Sequence, residues 1–105
     1  MRCSQYSKEG VKKLYCKLHK EVFACCDKEL AGKTLKETDF EVEVREDFYA
    51  DREITKEELI ERLNEYANIN LLGDKAVTTA LEAGIISKES VIEIAGVKHA
   101  IILKL

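Results

Sequence analysis

The rhythm of hydrophobic and polar positions changes several times along the chain, and each change marks an element. Leu14-Tyr15-Cys16-Lys17-Leu18-His19 alternates as a strand, and Val22-Phe23-Ala24-Cys25-Cys26 follows as its partner across a short link at Lys20-Glu21. The link lacks an Asn-Gly type of hairpin signal, so the register stays open by one residue, and a slip would exchange the two faces. Residues 27–36 read as a turn or irregular segment. Phe40-Glu41-Val42-Glu43-Val44 alternates strictly: Phe40, Val42 and Val44 are assigned inward, Glu41 and Glu43 to water. That pattern predicts a third strand covered on one side.

The period then lengthens. Thr55-Lys56-Glu57-Glu58 has the form of a capping box, in which the Thr55 hydroxyl accepts from the Glu58 amide and the Glu58 carboxylate reaches back. Leu59, Ile60, Leu63, Tyr66 and Ala67 follow at helical spacing. A second helix is expected from Asp74, an N-cap residue type, with Ala76, Val77, Ala80 and Leu81 on one face. Gly84 should end it in the left-handed conformation, with Ile85 as the hydrophobic contact beyond. Two strands close the chain, Val91 to Ile94 and Val97 to Leu103 or beyond, turning at Ala95-Gly96.

The order ββ-β-αα-ββ predicts an α+β fold, a mainly antiparallel sheet with two helices packed on one face. The inward positions predict one contiguous core from Phe40, Val42, Leu59, Ile60, Leu63, Val77, Leu81, Ile92, Ile94, Ile101 and Leu103. A length of 105 residues suits a single domain over 1–105, with residues 1–11 as a loosely attached N-terminal extension.

Composition agrees with a folded chain: 46% of residues are hydrophobic and 35% charged. No apolar run approaches the roughly 20 residues that cross a bilayer, and the first residues lack the apolar stretch of a secretory signal. Membrane partners are therefore not expected and the cytoplasm is. In that compartment Cys3, Cys16, Cys25 and Cys26 default to free thiols. The net charge of −3 is unevenly spread. Eight Lys/Arg face four Asp/Glu across residues 1–35, five face twelve across 36–66, and four face four across 67–105. Such a field can orient a partner, or simply solvate exposed faces.

Five constellations bear on chemistry. Gly32-Lys33-Thr34 resembles the end of a phosphate-binding loop, but the glycine required five residues earlier is Asp27, whose carboxylate repels phosphate. Cys16, His19, Cys25 and Cys26 are candidate metal ligands by type. Their alternation along strands sends Cys16 away from His19 and Cys25 away from Cys26, so core packing is the expected role and no metal or other cofactor is assigned. His99 shares a parity with Val97, Ile101, Leu103 and Leu105, which places it on the apolar face as a buried, hydrogen-bonded residue. Joined by Cys26, Asp27, or the amides of Asn68 or Asn70, it is also the one candidate base or nucleophile. The two helices, linked through 68–73, could form a helix-turn-helix, but residues 75–83 offer only Lys75 to base edges, so sequence-specific DNA is not expected. The basic N-terminal hairpin, with Lys8, Lys12, Lys13, Lys17 and Lys20 and with Tyr6 and Tyr15 for stacking, suits RNA or the ribosome.

The succession Cys26-Asp27, Leu30, Gly32-Lys33-Thr34-Leu35, Phe48-Tyr49, Asn70-Leu71-Leu72-Gly73, Ala76-Val77, Gly84 and Val97-Lys98-His99-Ala100 resembles the archaeal domain-of-unknown-function family four-two-four. The resemblance runs from about Leu14 to the C-terminus, with departures in the compact Lys20-Glu21 turn and the additional N-terminal residues. It implies an archaeal origin and a stand-alone domain, and it carries over no catalytic residue. The leading reading is a small non-catalytic binding module associated with RNA or translation. A small-molecule enzyme using His99 with Cys26, Asp27 or Asn70 stays open beside it, as does a protein-interaction or self-assembling domain.

Overall fold

In a computed structural model the described residues are 12–104; the expected N-terminal extension at 1–11, with Cys3, Tyr6 and Lys8, lies outside them, as does Leu105. Strands β1 (Leu14–Leu18) and β2 (Phe23–Asp27) pair antiparallel. Leu18 stands opposite Phe23, and the His19 amide donates to the Val22 carbonyl at 2.8 Å, so Lys20-Glu21 is a two-residue loop and the register is fixed.

A short 3₁₀ turn at Lys28–Leu30 leads into a two-stranded ribbon, β3 (Thr34–Lys36) with β4 (Glu41–Glu43). One helical turn, α1 (Glu46–Tyr49), then precedes β5 (Arg52–Ile54) and helix α2 (Lys56–Glu65). Helix α2 starts on the expected box: the Thr55 hydroxyl accepts from the Glu58 amide at 3.1 Å, and the Glu58 carboxylate accepts from the Thr55 amide at 2.8 Å. Strand β6 (Asn68–Leu72) and helix α3 (Asp74–Glu82) follow. Gly84 ends α3 at φ +76°, with the Ile85 amide reaching back to the Ala80 carbonyl. A 3₁₀ turn at Lys88–Ser90 and the hairpin β7 (Ile92–Ile94) and β8 (Val97–Leu103) close the described chain.

The six-stranded sheet has the order β5-β1-β2-β6-β8-β7, antiparallel throughout except where β6 lies parallel to β2. The α+β class and the mainly antiparallel sheet with α2 and α3 on one face stand. Residues 68–73, expected as a helix-to-helix link, instead supply β6 in the centre of the sheet. That rules out a helix-turn-helix, since a buried strand separates the two helices.

The sheet is apolar on both faces. Towards α2 and α3 it presents Leu14, Cys16, Phe23, Cys25, Ile69, Leu71, Ala100 and Ile102, which pack on Leu59, Leu63, Ala76, Val77 and Ala80. The opposite face presents Ala24, Cys26 and Leu72, covered by Leu35 and Val44 of the ribbon segment and by Tyr49 of α1. Two clusters thus replace the single expected core.

Parity was misassigned where a strand is apolar on both sides. In β8 the residues that meet the helices are Ala100 and Ile102, whereas Ile101 and Leu103 are 59% and 66% exposed. Ile92 is 56% exposed, and Phe40, at the edge of the ribbon, is 50% exposed rather than inward. Ile60 is only half-buried, and helix α2 stops before Ala67, which is exposed. Val42, Leu81 and Ile94 are partly buried against the two clusters. Among the described residues no helix is long and apolar enough to cross a membrane.

Burial separates two leucines that sequence reasoning treated alike. Leu63→Ala, at a fully buried site, should cost about 2–5 kcal/mol in urea unfolding. Leu103→Ala should stay within about 0.5 kcal/mol, as substitutions outside a core do.

Candidate functional site

The parallel contact of β2 with β6 brings the carboxyl ends of both strands together, and Asp27 ends β2 there. Its side chain is buried and points to the helix side, where Oδ2 accepts from the Lys75 amide and Oδ1 from the Ala76 amide, each at 2.9 Å. Those amides belong to the first turn of α3, which has no capping side chain of its own because the residue before Asp74 is Gly73. Asp27 therefore caps α3 from another strand, satisfying two of the helix's free donors and placing a negative charge at the positive end of its dipole. Burial pushes its carboxyl above the ordinary aspartate range, while the two amides pull it back. Asp74, expected as the cap, is the first helical residue, and its carboxylate accepts from the Lys98 amide at 3.2 Å.

Gly73 makes this approach possible. Its φ of +117° suits glycine, and a Cβ added there would lie on the Asp27 carboxyl group. Asp27 is thus committed to the backbone, and the sheet stands between it and His99.

On the opposite face a polar network crosses from α1 to β8. The Tyr49 hydroxyl donates to Asn70 Oδ1 at 3.0 Å, and His99 Nε2 lies 3.3 Å from the same oxygen. A carbonyl oxygen only accepts, so His99 must carry its proton on Nε2. Nδ1 is then an unprotonated acceptor, and it is buried without a partner among the described residues. His99 itself is half-buried and faces the ribbon side with Val97, away from the helices. Of its expected companions, Asn70 alone touches it. Cys26 lies on the same face beneath Tyr49, and Asn68 lies one alternation further along β6.

The ionisable groups here are all driven towards their neutral forms. Burial pushes the Cys26 thiol up to about 12, helped by Asp27 and Glu29. Burial, then the neighbouring Cys26 and Cys25, raises Tyr49, and burial lowers His99. Tyr49 was not singled out by sequence, because its partner lies twenty-one residues away and no local spacing signals the pair.

The four suspected metal ligands do not converge. Cys16 and Cys25 stand opposite each other on the helix face, and Cys26 faces the other way. His19 stacks on Phe48 with ring centroids 4.4 Å apart and donates from Nε2 to the Phe48 carbonyl at 2.7 Å. Among the described residues no three His, Cys, Asp or Glu side chains gather as a metal site, and Cys16, Cys25 and Cys26 are free thiols. Burial raises all three.

Nor do the described hairpin lysines lie together: Lys12 and Lys13 precede β1, while Lys17 and Lys20 sit towards its far end, about 13 Å or more away at strand spacing. Lys17 Nζ donates to the Asp47 carbonyl at 2.8 Å.

Beyond the Tyr49–Asn70–His99 network the ribbon gives no further cover. The open positions of β6, β7 and β8 there are Asn68, Ile92, Ile101 and Leu103. Two grooves flank this region. One of about 320 Å³ beside α1 is lined by His19, Glu43, Arg45, Asp47, Phe48 and Tyr49. Another, of about 500 Å³, runs between Ile101–Leu103 and the Gly84–Ser90 segment. In the first, Arg45 is held by Asp47 at 2.6 Å, so its charges answer one another.

Because burial lowers His99, the unfolded chain takes up this proton more readily than the folded one. Stability attributable to His99 is therefore present above pH 6.5 and is lost as pH falls through the folded midpoint. Nitrogen chemical shifts should show the Nε2–H tautomer with a midpoint below 6.5. A midpoint above 6.5 would mean that a carboxylate reaches the ring.

Over residues 16–105 the sequence matches the model of the family described as Protein of unknown function (DUF424). A comparison with curated proteins returns no match. The crystal structure of an uncharacterized conserved protein from Methanopyrus kandleri is similar in fold, with a TM-score of 0.71 and 26% sequence identity. The superposition covers 88% of this chain and 93% of that one. With the family model spanning β1 to the C-terminus and the same fold found in a solved relative, the chain belongs to the DUF424 family.

Proposed function

We propose that this chain is a small, non-catalytic binding module that engages another protein through the open end of its sheet. One observation carries the reading: Ile92, Ile101 and Leu103 are more than half exposed on the part of the sheet face formed by β6, β7 and β8, where no strand position carries a charged side chain. In a chain with 35% charged residues such a neutral, apolar surface is the exception, and exposed apolar patches mark interaction sites.

The enzyme alternative has less support. A nucleophile needs a lowered pKa or an adjacent free base. Here the Cys26 thiol is raised to about 12, Asp27 is occupied by α3, and the His99 proton-accepting nitrogen is buried. Association with RNA or the ribosome draws less support than a protein partner, because the described lysines of the hairpin are split between the two ends of β1 and a phosphate chain needs cations along its path.

A photo-crosslinking amino acid in place of Ile101, introduced in cells that naturally make the protein, tests the reading. Adducts should be proteins, and the same group at Glu61, on the exposed outer side of α2, should capture far fewer. Adducts to RNA alone, or equal capture from both positions, would overturn it.

A further inference from the structure

Among the described residues, no strand pairs with the last part of β8 on its outer edge, which borders the groove beside the segment 84–90. The Gly73 amide donates to the Lys98 carbonyl and the Lys104 amide to the Ala67 carbonyl, each at 2.8 Å, so the even-numbered residues of β8 bond towards β6. In an antiparallel ladder the alternate residues bond to the other side. Val97 and His99 do so with β7, but that pairing stops at Ile92 opposite His99. The residues that would continue it turn away: the Ser90 and Val91 amides donate to the Ser87 and Lys88 carbonyls in the 3₁₀ turn. Ile101 and Leu103 therefore direct their backbone groups into the 500 Å³ groove.

Sheet edges are normally guarded by charge, proline, a bulge or extreme shortness. The opposite edge is guarded: β5 has three residues, two of which are Arg52 and Glu53. Among the described residues, the free part of β8, Ala100-Ile101-Ile102-Leu103, has no such guard.

We propose that β8 pairs antiparallel, edge to edge, with β8 of a second copy of this chain, making a twofold dimer with a continuous sheet. The proposal rests on the binding reading above and names its partner. The register follows from the free groups. Ile101 and Leu103 carry them, so each must face its counterpart across a twofold axis centred on Ile102. Ile101 then stands opposite Leu103 of the second copy, Ile102 opposite Ile102, and Ala100 opposite Lys104. Every pair is apolar except a lysine facing an alanine, so no like charges meet.

Charge selects this occupant over others. The open positions of β6, β7 and β8 carry no ammonium to hold a phosphate chain and no ion to pair with a charged peptide. What fits is an uncharged extended segment with free backbone groups on one side, and β8 is one. A closed twofold pairing also consumes the edge, leaving nothing to propagate into a fibre.

Sedimentation and light scattering on the full chain from micromolar to millimolar concentration test the proposal. A species of twice 11.9 kDa is expected, with exchange of the Ile101 and Leu103 amides slowing as it forms. The double variant Ile101→Lys, Leu103→Lys brings lysine against lysine at both pairs and should be monomeric. So should Ile101→Glu, Leu103→Glu, and an equimolar mixture of the two should restore the dimer. Both side chains are exposed, and circular dichroism of each variant should match that of the parent. A parent that stays monomeric, a lysine variant that dimerises as the parent does, or a mixture that stays monomeric would overturn the pairing. A monomeric parent whose Ile101 photoproduct still captures other proteins would remove the dimer and leave the binding module standing.

Discussion

The contact on which most of the fold depends is the Asp27 carboxylate against the amides of Lys75 and Ala76. It ties the end of the N-terminal hairpin to the start of α3, forty-eight residues later, and does so where β6 runs parallel to β2. A parallel neighbour cannot be joined by a tight turn, so the order of the central strands has to be secured by contacts distant in sequence. Asp27 supplies a directional one. Gly73 is its complement, since only a residue without Cβ lets the carboxylate come so near. The pair fixes α3 over one face, and β6 and β8 then present their other residues to the opposite face.

The sheet that results has unequal faces. On the helix side, α2 and α3 seal an aliphatic cluster that includes Cys16 and Cys25. On the other, a ribbon of two three-residue strands and one turn of helix cover only part of the surface, and the Tyr49–Asn70–His99 network lies at the boundary of that cover. Burial holds each ionisable member of the network neutral, which suits a dry seam and does not suit a nucleophile or a free base. The exposed isoleucines and leucine just beyond the seam are thus a consequence of incomplete cover. The edge of β8 beside them carries no charge from Ala100 to Leu103.

Much of this was legible in the residues. The capping box at Thr55 and Glu58, the left-handed Gly84 and the turn at Ala95-Gly96 are local devices, and local chemistry announces them. What failed was long-range. Strand β6 alternates Asn68 and Asn70 with Ile69 and Leu71, a pattern that reads as a polar link until the asparagines acquire a face of their own. Parity in Val97-Lys98-His99-Ala100-Ile101-Ile102-Leu103 could not choose a core side, because the strand is apolar on both and the smaller Ala100 meets the helices. Asp27, read as a residue that repels phosphate or as a partner for His99, gave no local sign that a helix far along the chain would need its carboxylate. The segments Cys26-Asp27 and Asn70-Leu71-Leu72-Gly73, which carry part of the family resemblance, meet at this contact.

The dependence of this architecture on Asp27 and Gly73 is most directly measured by a double-mutant cycle in urea unfolding. In the parent, Gly73→Ala sets a methyl against the Asp27 carboxyl and also strains a backbone at φ +117°. In an Asp27→Ala background only the backbone strain remains. The cost of Gly73→Ala should therefore fall by about 1 kcal/mol or more when Asp27 is already alanine. An equal cost in both backgrounds would mean that the two residues do not meet, and that something other than this capped contact secures α3 to the sheet.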